Sequence, residues 1–269
     1  MRGLTCVLLC LVAGSLAHAA SAAEPEEVSF AGGGAALHGF IFRPAGDGPF
    51  PAVLYNHGSE KLPGTKPEIG GFFARSGYVL FVPHRRGQGR SQEQGTYIMD
   101  AIRSAPAAFR DARLVELQEQ HLADVLAALA YLQGLPYVDK SRIAVAGCSF
   151  GGIQMMLAAQ KPAGLRAAVA FAPGAMTWAS SPALRSRLTE AAREAAIPVL
   201  LIQAQNDYDL TPTQVLSEEM ARAGRPHQRV ILPAYGTTRA DGHGRFCFSG
   251  VDAWGPEVLA FLAATMKEK

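Results

Sequence analysis

Charge imbalance and cysteine are both in short supply. Lys plus Arg number 25 against 23 Asp plus Glu, a formal net charge of +2, which removes the electrostatic case for general attraction to nucleic acid or to an anionic membrane. Four cysteines are too few for a disulfide-built scaffold, and no Cys/His cluster has zinc-ligand spacing. No metal site and no cofactor is therefore expected. His84-Arg85-Arg86-Gly87-Gln88-Gly89 is not a dinucleotide fingerprint, because the third glycine and the following helix are missing. There is no internal repeat, no low-complexity tract and no linker dividing the chain. With 49% hydrophobic and 18% charged residues over 269 positions, disorder is excluded and a full core is within reach.

The one long apolar run is at the N-terminus. Arg2 precedes Leu4–Leu16, and the small-residue stretch Ala17-His18-Ala19-Ala20-Ser21-Ala22-Ala23 follows. A positive start, a core of about a dozen apolar residues and A-x-A-like sites predict a secretory signal over residues 1–23, cut after Ala19, Ala22 or Ala23. A membrane anchor would need about 20 apolar residues. Neither Cys6 nor Cys10 follows the small residue that precedes a lipoprotein cysteine. The expectation is an exported protein, periplasmic or secreted, with residues 24–269 as one domain.

Short apolar runs bounded by turn residues recur along that domain: Pro51–Tyr55, Tyr78–Val82, Ile143–Ala146, Ala167–Phe171, Val199–Gln203 and Arg229–Leu232. Each reads as a strand buried on both faces, and Ala35–Arg43 as an edge strand. Helical periodicity falls between them, at Pro67–Ser76, Arg113–Leu132, Phe150–Ala159, Pro182–Ala195, Thr213–Ala223 and Pro256–Met266, the last with its boundary at Gly255-Pro256. The alternation predicts an α/β fold: a doubly wound, mostly parallel sheet of about eight strands flanked by helices. Residues 88–112 are the least periodic and are expected to form a small lid over the C-terminal edge of the sheet. The charges there, Asp100, Arg103, Arg110, Asp111 and Arg113, read as its solvated faces.

The strongest chemical signal is Gly147-Cys148-Ser149-Phe150-Gly151-Gly152, seated between a buried strand and a helix. There G-x-S-x-G makes a sharp turn that lifts the serine hydroxyl into the crevice, with the helix N-terminus aimed at developing negative charge. Serine needs a base held in one tautomer by a carboxylate, following it in the order acid, then histidine. Asp207, just past Val199–Gln203, is the candidate acid, and Asp209 on the same loop is the second choice. Histidines beyond residue 23 stand at His38, His57, His84, His121, His227 and His243. Only His243 follows the acid on a glycine-flanked loop, and it is the candidate base. Asp241 reads as a turn residue. The amide of Phe150 and that of Ser59, in the Asn56-His57-Gly58-Ser59-Glu60 loop, are the expected oxyanion donors, with His57 packing beneath. Glu60, Arg85 and Tyr208 are candidate substrate contacts. Arg85 suits a carboxylate or phosphate, against the plainer reading of a solvated loop or an ion pair.

Together NHGS at 56–59, PHRRGQGRS at 83–91, YVDKSRIAVAGCSFGG at 137–152, QNDYDLTP at 205–212 and GHG at 242–244 resemble the α/β-hydrolase superfamily, nearest its dienelactone-hydrolase-like and prolyl-oligopeptidase-like branch. The resemblance covers nearly all of residues 24–269. It implies a Ser-Asp-His hydrolase of esters, thioesters or amides. Dienelactone hydrolases proper carry cysteine at the nucleophilic position, where this chain has Ser149, one residue after Cys148. Cys148 and Cys247 flank Ser149 and His243, which must meet if the triad forms, so the two are a candidate disulfide. Secreted esterases of the tannase and feruloyl esterase types are similar, with cysteines directly adjacent to the serine and histidine.

The leading expectation is an exported serine hydrolase that cleaves carboxylic esters of small molecules through an acyl-enzyme. An exopeptidase-like amidase would use the same residues, but would need an amine-recognition site, for which Glu60 is the single acidic candidate. A ligand-binding protein on the same fold would have no need of the ordered Ser149, Asp207 and His243.

Overall fold

The computed structural model describes residues 24–161 and 163–267; the predicted signal at 1–23 lies outside them. The sheet is built from β1 (Glu26–Gly32), β2 (Ala35–Phe42), β3 (Phe50–Asn56), β4 (Val79–His84), β5 (Val138–Cys148), β6 (Ala167–Phe171), β7 (Val199–Ala204) and β8 (His227–Leu232). The spatial order is β1-β2-β4-β3-β5-β6-β7-β8. The β1–β2 and β2–β4 pairs are antiparallel and all others are parallel.

Helices α1 (Pro67–Arg75), α2 (Ile98–Ser104), α3 (Arg110–Gln133), α4 (Phe150–Ala158), α5 (Pro182–Arg193), α6 (Thr211–Arg222), α7 (Phe246–Ser249) and α8 (Val251–Thr265) complete the chain. Each central strand feeds two cores, because successive side chains point to opposite faces. Ala52, Leu54 and Val145 join one core with residues of α3, α4 and α5. Val53, Tyr55, Ala144 and Ala146 join the other with residues of α1 and α8. That double burial explains why these strands are continuous apolar runs.

Four sequence expectations are corrected. β2 is an interior strand, because β1 pairs along its outer side. β1 was not foreseen: only Val28, Phe30 and Gly32 of its seven residues are buried, a period-2 signal weakened by glycine and alanine. β8 forms the opposite edge and is half exposed rather than buried on both faces. Pro256 lies inside α8 instead of starting it; so close to the helix start, its missing N–H removes a single hydrogen bond.

The 88–112 segment, expected as a lid, takes regular local structure. It folds as short helical turns and α2, with Ile98 fully buried. The Asp111 carboxylate caps α5, accepting from the Ala183 N–H at 2.9 Å and from the Ser181 hydroxyl, so it is no solvated face. No helix among the described residues is long and apolar enough to cross a membrane.

Candidate active site

The loops that follow β3, β5, β7 and β8 all leave the C-terminal ends of parallel strands, where ligands bind in open α/β sheets. The turn after β5 is tight. Ser149 has φ 57° and ψ −112°, a conformation that costs a non-glycine residue on the order of 1–3 kcal/mol and persists only when its surroundings enforce it. They do: the Ser149 N–H donates to the Phe171 carbonyl of β6 at 2.9 Å, and α4 is buried throughout. A β-carbon at Gly151 would stand 2.0 Å from the Asn56 carbonyl oxygen, and one at Gly147 would stand 2.7 Å from the Gly151 backbone. Glycine is required at both positions by this close approach of strand and helix.

His243 sits on a wide helical turn, Asp241–Arg245. Its Nδ1 lies 2.8 and 3.0 Å from the two carboxylate oxygens of Asp207. A carboxylate only accepts at neutral pH, so Nδ1 carries the proton and Nε2 is left as the basic nitrogen. Asp209 does not reach the ring; its carboxylate accepts from the Thr211 N–H at 2.9 Å, in the turn that leads into α6. Asp241 accepts from the Thr237 and Thr238 amides, the Thr238 hydroxyl and Arg245, which hold its carboxyl well below the usual range.

Asn206 was missed by the sequence reading. Its amide donates to the Tyr235 and Thr238 carbonyls and accepts from the Tyr235 N–H, clamping the histidine loop to the acid loop. Tyr208 stacks edge-on against His243, with ring centroids 5.5 Å apart.

Ser149 and His243 line one cavity of about 160 Å³ together with Gly58, Ser59, Glu60, Cys148, Met176, Gly244 and Phe248. No hydrogen bond joins the Ser149 hydroxyl to the ring in this structure; such bonds tighten on substrate binding. None of residues 88–112 lines the cavity. Cys148 and Cys247 are joined by a disulfide, with Cα atoms 6.1 Å apart, which ties the serine turn to the histidine loop.

The loop after β3 is gripped from behind. Arg85 Nη2 donates to the His57 carbonyl at 2.9 Å and the Gly58 carbonyl at 2.7 Å. Tyr97 donates its hydroxyl to the Ser59 carbonyl at 2.6 Å, and Gln88 its amide to the Glu60 carbonyl at 2.8 Å. In a trans peptide the C=O and the following N–H point opposite ways, so a Gly58 carbonyl turned to Arg85 turns the Ser59 N–H away from it. Neither that N–H nor the Phe150 N–H donates to another group among the described residues.

Arg85 is therefore neither a substrate contact nor a solvated loop residue. It is 1% exposed, with Nη2 committed to backbone carbonyls and Nε and Nη1 buried without a hydrogen-bond partner among the described residues, and burial pulls its pKa down to about 10. Since both Nη2 hydrogens go to those carbonyls, the His57 Nδ1–H is left to donate to the Gly58 carbonyl at 3.0 Å. Burial and the neighbouring Arg85 hold His57 neutral, well below its ordinary value.

Glu60 lines the cavity with its carboxylate held at the cavity wall beside Gly58. Oε1 binds Lys66 Nζ at 3.0 Å, and Oε2 is buried behind Gly58. Among the described residues no group of three or more His, Cys, Asp or Glu is disposed to hold a metal.

The sequence profile of the dienelactone hydrolase family matches residues 37–236. The chain belongs to that family. No curated protein matches it. Solved structures share the fold of this family member at low identity. An acylaminoacyl peptidase of Pyrococcus horikoshii superposes with a TM-score of 0.69 at 17% identity, covering 93% of this chain and 43% of its own. A dipeptidyl peptidase 4 of Porphyromonas gingivalis gives 0.67 at 18%, covering 91% and 36%. An esterase of Pyrococcus furiosus gives 0.66 at 17%, covering 91% and 92%. The chain thus spans less than half of either peptidase. The family is that of the dienelactone hydrolases, and these neighbours, none more than 18% identical, share its α/β fold.

Proposed function

We propose that this hydrolase cleaves carboxylic esters of small molecules through an acyl-enzyme on Ser149. The observation that carries the reading is the Asp207–His243 contact at the rim of a cavity shared with Ser149, which sits on a strained turn. His243 Nε2 takes the Ser149 proton as Oγ attacks the ester carbonyl. The tetrahedral oxyanion is held by the Phe150 and Ser59 amides, each worth about 3–4 kcal/mol of transition-state stabilisation. The imidazolium then gives its proton to the leaving alcohol, and water, deprotonated by the same ring, releases the acid.

Asp207 orients the ring throughout, with Tyr208 packed beside it. An ester is favoured over an N-terminally charged peptide because Glu60, the acidic group at the cavity, has one oxygen committed to Lys66 and the other buried. The apolar N-terminal run and the disulfide, a bond that persists in oxidising compartments, support export as part of this reading.

A fluorophosphonate probe tests the nucleophile: labelling of the wild type, abolished in Ser149→Ala, is expected. Absence of labelling in folded wild type would refute the reading and favour a binding protein. A panel of acyl esters against aminoacyl amides then separates esterase from peptidase.

A further inference from the structure

We propose that Phe248 sets the length of the substituent admitted beside Ser149, and that Lys66 latches it in place. The inference rests on the acyl-enzyme reading above. Phe248 lines two hollows at once. One is the 160 Å³ cavity at Ser149. The other, about 200 Å³, is bounded by Pro63, Thr65, Lys66, Glu68 and Ser249. Its ring is thus a partition between them.

The partition is held from one side. Lys66 Nζ lies 3.5 Å from the Phe248 ring centroid and 3.0 Å from Glu60 Oε1, and the Lys66 side chain is only 10% exposed. An ammonium withdrawn from water and pinned between a carboxylate and an aromatic face binds that face firmly. Lys66 also adopts a left-handed backbone, φ 59°, immediately before Pro67. This is an unfavourable conformation that its surroundings must enforce. The backbone of Phe248 is fixed as well, one residue after disulfide-bonded Cys247. The phenyl ring is the part of Phe248 that Lys66 then positions.

An apolar hollow of about 150 Å³ holds one benzene molecule, so this cavity, open to solvent on one side and bounded by Phe248 on another, has room for a substituent of about six heavy atoms. Removing the ring joins it to the outer hollow and lengthens the space available.

The test measures kcat/KM over two series, p-nitrophenyl esters of lengthening acyl chains and acetates of lengthening alcohols, so that either side of the ester is covered. Wild type should lose at least about tenfold, the scale of a few misfitted methylenes, when the chain passes from six to ten heavy atoms. Phe248→Ala should recover most of that loss in the same series, and Lys66→Met part of it. Phe248→Leu serves if the alanine variant fails to fold. Profiles unchanged in all variants, with fluorophosphonate labelling intact, would overturn the partition alone. A wild type that is not labelled would overturn the acyl-enzyme reading and the partition with it.

Discussion

The disulfide offers the most quantitative test. Cys148 and Cys247 are separated by 99 residues, and cross-linking a loop of about 100 residues removes roughly 4.7 kcal/mol of unfolded-state entropy in the chain-entropy model; native bridges cost 2–5 kcal/mol when removed. We expect the Cys148→Ala/Cys247→Ala pair to lose about 3–5 kcal/mol, or about 6–20 °C in Tm for a chain of this size. Both cysteines are fully buried, so reductant acts slowly and the variant is the cleaner perturbation.

Activity should respond less than stability. Asn206 and Asp207 still hold the histidine loop, so kcat at 25 °C should fall by less than about tenfold, the scale of one or two neutral hydrogen bonds. Scanning calorimetry and denaturing thiol titration check both points. Two free thiols in unreduced wild type, or a Tm change below about 2 °C, half of what 1 kcal/mol produces at most, would refute the reasoning.

Asp207→Asn should lower kcat by about 10⁴, through the wrong imidazole tautomer; Asp209→Asn should leave kcat unchanged and cost at most about 1 kcal/mol, the scale of one hydrogen bond. Equal effects on turnover would reverse the assignment. Tyr97→Phe deletes the donor to the Ser59 carbonyl, worth about 1 kcal/mol, so kcat should drop about fivefold while KM holds; a KM effect alone would mean that Tyr97 contacts substrate. Burial lowers the His84 pKa from 6.5 to about 4, so the unfolded chain binds the extra proton first. Its contribution is complete above pH 6.5 and is lost as pH falls from 6.5 towards 4, by about 3 kcal/mol. Melting curves from pH 8 to 4 should fall in that window, and less steeply for His84→Gln; a flat profile would contradict the burial argument.

The central architecture was legible because doubly buried strands leave continuous apolar runs and because the glycine-serine turn sits between such a strand and a helix. The pairing of Asp207 with His243 was foreshadowed by their order in the chain, although separating Asp207 from Asp209 needed the coordinates: each lies a few residues past β7, and only three-dimensional position shows one facing a ring and the other a helix end. The edges were legible only in part: β8 was read as a strand, though not as an edge. β1 buries too few side chains to stand out, and β8 alternates weakly.

Arg85 illustrates a deeper limit. Guanidinium groups are read as solvated or ligand-binding, and nothing local signals that backbone carbonyls of a distant loop will absorb this one. Asn206, Tyr97 and Phe248 escaped notice for the same reason: their partners are 29, 38 and about 180 residues away in sequence.

The crowding around the serine turn separates two kinds of damage. With no space for a methyl group at residues 147 and 151, replacement there must wedge β3 away from α4, whereas exchanging the hydroxyl of residue 149 for hydrogen displaces nothing. A library of random variants should therefore show insoluble protein on either side of a position that tolerates loss of its oxygen and returns soluble, inert material. Such inert protein is the natural vehicle for capturing a bound, uncleaved ester.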